Sequence, residues 1–291
     1  MIELKSGVAG TLLRRCMGAL SVWIALVTAT DRALAQTINT GTECVTALHE
    51  ETETAGPLPS RLTSLLGERG QWLLARCDSC ANYPAIAASF TTQITQAFCG
   101  VASSVTVLNA SPVRKPLTDP YRPYRYFTQC NIFNRKAKQR LDLDTVSNEG
   151  LTLAQATYLL DAQEGVKATC HYAGRSDAVA ASSSAGGVPG CRVAASAQEF
   201  RATARHVLDS PRRYLLVNFS RATLSDDDTG GGHFSPLAAY NGIADELLLM
   251  DVARYKYPPF WVSTDLLWDA MATTDTSSGR HRGYIVVEVE P

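Results

Sequence analysis

The chain has 291 residues, with 27 Lys and Arg against 28 Asp and Glu, which leaves a formal net charge of -1 at pH 7. Because nucleic acids and anionic membrane surfaces attract proteins with a basic excess, this balance argues against both as partners. Apolar residues make up 45% of the chain, enough to build the core of one large domain or of a two-lobed one.

The first 35 residues have the layout of a secretory signal peptide. Basic residues precede an apolar stretch, Cys16 to Thr30, and an A-x-A cleavage site ends at Ala35. The apolar stretch holds about 15 residues, whereas a membrane-spanning helix needs about 20, so an uncleaved anchor is the weaker alternative. We predict that residues 1–35 are removed on export. The mature protein is then periplasmic or secreted and has no membrane attachment.

The cysteine content fits an oxidising compartment. Seven of the eight cysteines follow the predicted cleavage site, and an odd number leaves one thiol unpaired. Cys77 and Cys80 form a C-x-x-C pair, for which a zinc site and a redox-active dithiol are the alternatives to a disulfide. A zinc site needs a second such pair, and the surroundings do not resemble a thioredoxin unit, so a disulfide is favoured.

A candidate nucleophile, Cys99, begins an apolar run with helical spacing. Val101, Val105 and Leu108 fall at i, i+4 and i+7, which predicts a helix with Cys99 in its first turn. A helix N-terminus stabilises a thiolate, which is the nucleophilic form of cysteine. Gln93 lies six residues upstream, where its side-chain amide would donate to an oxyanion beside the Cys99 N–H. The plainer alternative is a buried structural cysteine.

Downstream, an Asn-Gly turn signal between two strand-like runs predicts an antiparallel hairpin. His233 and Asp251 lie at the open ends of its strands. A three-residue loop, 241–243, would place the two side chains opposite each other, whereas a two-residue turn would put them one step out of register. A carboxylate that orients an imidazole beside a thiol is the arrangement of a nucleophile, a base and an orienting group.

Three sequence strings follow one another in this order along the chain: QITQAFCGVASSVTVLN, GGHFSPLAAYN and MDVARYKYPPFWV. Together they resemble the catalytic core of phytochelatin synthases. The resemblance implies an α+β fold of the papain-like cysteine peptidase kind, with a helical lobe carrying the Cys and an antiparallel β lobe carrying His and Asp. It covers residues 70–291 as a catalytic domain and leaves residues 36–69 as an N-terminal extension. It implies four catalytic residues: Cys99 as nucleophile, His233 as base, Asp251 as orienting group and Gln93 as oxyanion donor.

The resemblance also implies glutathione as substrate, with four residues beside its γ-glutamyl group: Asn218, Arg221, Asp275 and Arg282. The γ-glutamyl head is a free α-amino acid, whose carboxylate suits an Arg and whose ammonium suits an Asp. Taken singly, each charged residue also fits a surface ion pair, worth about 0 to 1 kcal/mol. Among the cysteines, Cys170 and Cys191 would staple the base of an insertion that interrupts the resemblance, so this pair is our first choice for a disulfide.

The implied reaction needs no cofactor to form the acyl-enzyme. A γ-glutamylcysteinyl thioester would pass to water or to a second glutathione, and the resemblance allows a heavy-metal ion, Cd or Zn held as glutathione thiolate, in the transfer step. Because the chain stops just after the catalytic core, we expect hydrolysis to dominate. The resemblance leaves room for a homodimer.

Three other functions remain open from the sequence. Bacteriocin-leader peptidases also place a Gln six residues before a Cys-Gly, so another papain-like peptidase is one alternative. The second is a non-enzymatic module that binds metal through thiolates. The third is a thiol-disulfide oxidoreductase that uses Cys77 and Cys80.

Overall fold

The computed structural model describes residues 57–174, 191–194, 196–226, 228 and 230–290. The predicted signal peptide and most of the predicted extension lie outside these ranges, so export stays a prediction. Among the described residues, no helix has the length and apolar character that a membrane crossing requires.

The helices begin where the sequence supplies a cap or an apolar stripe. The Thr152 side chain accepts from the backbone N–H of Gln155, whose own side chain accepts from the Thr152 N–H, and the two form a capping box. Helices that contribute to the site or core are α1 Glu68–Ala75, α2 Tyr83–Ser89, α3 Cys99–Ala110, α4 Leu143–Glu149, α5 Leu153–Asp161, α6 Ala197–Leu208, α7 Arg221–Leu224 and α8 Thr264–Met271.

The described strands form an eight-stranded sheet in the order β1-β7-β6-β5-β4-β10-β2-β3, with β8 and β9 paired separately. Neighbours are antiparallel except for the parallel pair β2 and β3. Their bounds are β1 Thr63–Ser64, β2 Val166–Ala173, β3 Arg192–Ala194, β4 Arg213–Ser220, β5 Gly232–Asn241, β6 Glu246–Leu249, β7 Phe260–Ser263, β8 Thr274–Asp275, β9 Arg280–His281 and β10 Gly283–Val289.

The hydrophobic core lies between the central strands and helices α6 and α8. Phe200 of α6 and Leu267 and Met271 of α8 are fully buried in one cluster with Val217 and Leu237 of the sheet. Helix α3 packs against β5, and nearly all of its residues are buried. The fold is therefore α+β, as predicted. β1 lies within the predicted extension and pairs with β7.

The hairpin signal at Asn241-Gly242 is confirmed, but the predicted loop lengths are wrong. Strands β5 and β6 pair antiparallel, and the turn spans Gly242–Asp245, which is longer than either two or three residues. The Asn241 side-chain oxygen accepts from the backbone N–H groups of Ile243 and Ala244, so the asparagine stabilises a wider turn than the sequence pattern suggested.

With this wider turn alone, His233 and Asp251 would lie on opposite faces of the sheet. Next to the turn, Tyr240 pairs with Leu247. If that register continued, Asp251 would fall opposite Pro236. Since side chains alternate along a strand, Pro236 is on the other face from His233.

A β-bulge in β5 restores the register that the site needs. The pairing shifts by one residue, after which Leu237 pairs with Leu249. Carried forward, this register puts Asp251 opposite Ser235, which is two residues from His233 and on the same face. The bulge therefore brings the imidazole and the carboxylate to one side of the sheet.

Candidate active site

Cys99 is the first residue of α3, and its thiol is free and 8% exposed. Burial opposes ionisation, but the charge of His233, a hydrogen bond from its ring, and backbone N–H bonds from Phe234 and Gly100 lower the pKa of Cys99 below its usual value. A buried thiol whose pKa is lowered ionises more readily, which suits nucleophilic attack rather than a purely structural role.

His233 and Asp251 are in direct contact. The Nε2 atom of His233 lies 2.9 Å from Oδ1 of Asp251, which leaves Nδ1 as the ring nitrogen available to Cys99. Although burial works against the charged ring, Asp251 raises the pKa of His233 above its usual value. Burial also works against the carboxylate, but His233 and Arg221 lower the pKa of Asp251 to about 2. The carboxylate thus stays ionised and favours the imidazolium.

Arg221 was expected beside the γ-glutamyl group, but the structure places its guanidinium on Asp251. Its Nη2 atom donates to Oδ1 of Asp251 at 2.8 Å, and the guanidinium lies over the ring of Tyr257 at 5.1 Å. Strand alternation explains the difference. Arg221 follows β4 two residues after Phe219, which pairs with His233, whereas Asn218 pairs with Phe234 on the opposite face.

Gln93 is close to the site but already bonded. Its Nε2 donates to the carbonyl of Gln96 at 3.2 Å and to the hydroxyl of Tyr255 at 2.8 Å. Its Oε1 is buried without a hydrogen-bond partner among the described residues. The predicted oxyanion donor therefore uses both amide hydrogens elsewhere in this structure.

A cavity of about 430 Å³ opens beside Cys99, and three of the four predicted substrate residues line it: Asn218, Asp275 and Arg282. Nη2 of Arg282 is 4.0 Å from Oδ1 of Asp275, while its Nη1 donates to Thr273 Oγ1 at 3.0 Å. The side-chain oxygen of Asn218 and Nε of Arg282 have no partner among the described residues. A cation, an anion and unpaired polar atoms thus share a cavity with the thiol.

Sequence reasoning missed part of the cavity wall. Gly232 and Phe234 line it from β5, and Gly150, Leu151 and Thr152 line it from the connection between α4 and α5. At Gly232, an added Cβ would lie 3.1 Å from Nε and Nη2 of Arg282, so a side chain there would crowd the guanidinium. The run of three glycines before His233 is the sequence signal for this close approach. The α4–α5 wall carries no comparable signal.

Among the described residues, two disulfides lie outside the cavity lining. Cys77 is bonded to Cys80, and Cys170 is bonded to Cys191, the pair chosen from the sequence. Asp78, one of the two residues between the C-x-x-C cysteines, accepts a hydrogen bond from Gly242 N–H, which ties this loop to the hairpin turn. Within the described ranges, no three His, Cys, Asp or Glu side chains are grouped as a metal site requires.

The family model for phytochelatin synthase matches residues 54–284 of this chain. A glutathione gamma-glutamylcysteinyltransferase of Triticum aestivum is 34% identical over 203 residues, covering 68% of this chain and 34% of the relative. One from Lotus japonicus is 32% identical over 202 residues, covering 68% and 36%. One from Schizosaccharomyces pombe is 27% identical over 211 residues, covering 71% and 43%.

The matched region thus spans only about a third to two fifths of these relatives' length, as the shares of 34%, 36% and 43% show. The family model in contrast covers most of this chain, including the thiol, the imidazole, the carboxylate and the lining residues of the cavity. The chain belongs to the phytochelatin synthase family.

Proposed function

We propose that this protein is an acyltransferase that cleaves the Cys–Gly peptide bond of glutathione through a thioester on Cys99 and releases glycine. The observation that carries the proposal is a free thiol that is bonded to the His233–Asp251 pair and lines a cavity containing Arg282 and Asp275. The names of the relatives support glutathione as the substrate.

The first step is formation of the nucleophile. His233 takes the proton of the Cys99 thiol, which leaves a thiolate beside an imidazolium. Asp251 holds the ring through Nε2 and stabilises its positive charge. The thiolate then attacks the carbonyl carbon of the Cys–Gly bond. Charge develops on the carbonyl oxygen, to which the Cys99 N–H and Gln93 would donate.

The second step expels glycine. The C–N bond breaks as His233 returns its proton to the departing amine, and the γ-glutamylcysteinyl group remains on sulfur as a thioester. Water then yields γ-glutamylcysteine, whereas the amine of a second glutathione yields a phytochelatin with one more repeat. In the transfer step, a Cd or Zn ion enters as part of the substrate, bound by glutathione thiolates.

The binding of the γ-glutamyl head follows from the charges in the cavity. The α-carboxylate would pair with Arg282, and the α-ammonium would pair with Asp275. Asn218, whose buried side-chain oxygen has no partner among the described residues, would accept a hydrogen bond from the substrate. Arg221 has no place in this set, because its guanidinium is engaged with Asp251.

A papain-like arrangement, with the cysteine in a helical lobe and the histidine in a β lobe, suits this chemistry. Cys99 begins the buried helix α3, His233 lies on β5, and Asp251 follows β6. A nucleophile on a helix and a base on an antiparallel sheet meet where α3 packs against β5, which supports the assignment of a helical lobe and a β lobe.

The proposal is tested with purified protein and glutathione. Glycine release is measured by amino-acid analysis, and the second product is identified by mass spectrometry with and without Cd. Wild type should release glycine, and Cys99→Ser should reduce the rate by at least about 10³-fold, because a hydroxyl is a far weaker nucleophile than a thiolate. The Cys99→Ser thermal unfolding midpoint, compared with wild type, controls for folding.

Equal glycine release by Cys99→Ser would contradict the proposal. Cleavage of a double-glycine leader peptide without cleavage of glutathione would instead identify the bacteriocin-leader peptidase alternative. If Cys77→Ser abolished a thiol-disulfide exchange activity while glycine release was absent, the oxidoreductase alternative would apply.

A further inference from the structure

The segment directly after Asp251 also holds the loop that precedes the Cys99 helix. The backbone N–H of Gln93 donates to the carbonyl of Val252 at 2.9 Å. The guanidinium of Arg254 lies over the ring of Phe90 at 4.9 Å. One short segment therefore links the orienting carboxylate to the predicted oxyanion donor.

The hydrogen bonds of the Gln93 amide are unevenly distributed. The residue is 5% exposed, and both hydrogens of Nε2 have acceptors, the Tyr255 hydroxyl at 2.8 Å and the Gln96 carbonyl at 3.2 Å. The amide oxygen is buried and has no partner among the described residues. Because an unpaired buried carbonyl is costly, this orientation leaves the amide incompletely satisfied.

The two partners of the amide differ in what they can do. The Gln96 carbonyl only accepts, so it holds Gln93 in one orientation. A phenol hydroxyl both accepts and donates. If the amide turned by half a rotation, Oε1 would accept from the Tyr255 hydroxyl, and an N–H would replace the unpaired carbonyl. The Tyr255 hydroxyl can therefore form a hydrogen bond with the Gln93 amide in either orientation.

We propose that Tyr255 is a positioning residue for Gln93, whose amide it holds both in the resting orientation and in the orientation that donates to the oxyanion. The proposal rests on the proposed function, since the oxyanion belongs to cleavage of the acyl bond. Burial raises the pKa of Tyr255, so the hydroxyl keeps its proton at neutral pH and remains able to donate.

The test is a double-mutant cycle on glycine release from glutathione. Tyr255→Phe should lower kcat about 5- to 20-fold, the effect of one hydrogen bond, and leave KM within about 2-fold. Gln93→Ala should lower kcat about 100-fold or more. Adding Tyr255→Phe to Gln93→Ala should cause no further loss, because the hydroxyl then has no amide to hold.

Tyr124→Phe is the matched control, because it removes a hydroxyl from a side chain that is 74% exposed and should leave kcat unchanged. Because Tyr255→Phe removes one of the two acceptors of the buried Gln93 amide, its thermal unfolding midpoint is compared with that of wild type to separate a loss of stability from a loss of kcat. An unchanged kcat in Tyr255→Phe, or an equal loss with and without Gln93, would overturn the positioning role while the wild type still releases glycine. Absence of Cys99-dependent glycine release from the wild type would overturn the proposed function and this inference together.

Discussion

Two groups of residues in the candidate site, the proposed catalytic group and the proposed binding group, differ in how closely their charges are paired. In the catalytic group, Cys99, His233 and Asp251, the carboxylate meets the imidazole at 2.9 Å and the Ala253 N–H at 2.8 Å. In the binding group, Asn218, Asp275 and Arg282, the two charged side chains stay 4.0 Å apart. Within the part of the chain that the structure describes, the side-chain oxygen of Asn218 and Nε of Arg282 have no hydrogen-bond partner. Oδ2 of Asp251 also lacks one, but it lies 2.7 Å from Nη2 of Arg221 in an ion pair.

This difference corresponds to two roles, catalysis of the reaction and binding of the substrate. The catalytic group is arranged by the chain itself, so little reorganisation is needed when charge moves between sulfur and imidazole. The binding group keeps hydrogen-bonding capacity that a buried protein atom normally satisfies internally. We infer that changes in the catalytic group reduce turnover, whereas changes in the binding group reduce substrate affinity.

The largest effect is expected from Asp251→Asn. The amide cannot stabilise the imidazolium or hold its tautomer, so kcat for glycine release should fall about 10³- to 10⁴-fold with little change in KM. Asp119→Asn is the matched control, because that side chain is 85% exposed and its ion-pair partner, Arg122, is also exposed. A loss of kcat below about 10-fold would show that the carboxylate is not part of the catalytic group.

An intermediate effect is expected from Arg282→Gln. Loss of the charge-assisted bond to the α-carboxylate should lower kcat/KM about 10- to 100-fold, mainly through KM. Arg122→Gln, at an exposed position, is the control.

An analogue that lacks the γ-glutamyl α-carboxylate makes this test sharper. With the analogue, the kcat/KM of wild type should fall to about the value that Arg282→Gln has with glutathione. Arg282→Gln should cause no further loss of kcat/KM with the analogue. An additional loss would mean that Arg282 acts elsewhere than on the carboxylate.

The smallest effect concerns the pH profile of Arg221→Met. Burial and Arg221 both lower the pKa of His233, while Asp251 and Cys99 raise it. The thiolate–imidazolium pair is lost as pH rises through the pKa of His233. Removal of the Arg221 charge should raise that pKa further and move the alkaline limb of kcat/KM upward by up to about one pH unit.

Arg221→Lys keeps the positive charge and should leave the alkaline limb near its wild-type position. A limb that stays unmoved or shifts downward in Arg221→Met would show that the guanidinium does not act on the imidazole. The profile thus tests whether Arg221 belongs with the catalytic group, as its bond to Asp251 indicates.

Local patterns predicted the main elements well. The helix that begins at Cys99 and the hairpin strand that carries His233 lie where the sequence patterns placed them. Such patterns are reliable because the burial of one face depends on neighbours three or four residues apart in a helix, or two apart in a strand. The Asn-Gly pair likewise marked the turn.

The register of the strands, and the contacts between side chains of different segments, were not predictable from local patterns. The turn after Asn241 is longer than expected, and only the bulge before Ala239 returns Asp251 to the face of His233. The same alternation turns Arg221 away from Asn218 and towards Asp251. A shift of one residue changes the face of every later side chain, so small irregularities decide these contacts.

By itself, the sequence determined which chemical groups are present and on which elements they lie: a cysteine at a helix start, a histidine on a hairpin strand and an acid after the next strand. Only the tertiary structure decided which of them meet. It placed Arg221 on Asp251 and Tyr255 on Gln93, residues that are 30 and 162 positions apart. The reason is that contacts between distant segments depend on turn length, bulges and packing, whereas a local pattern records only the side chains of its own segment.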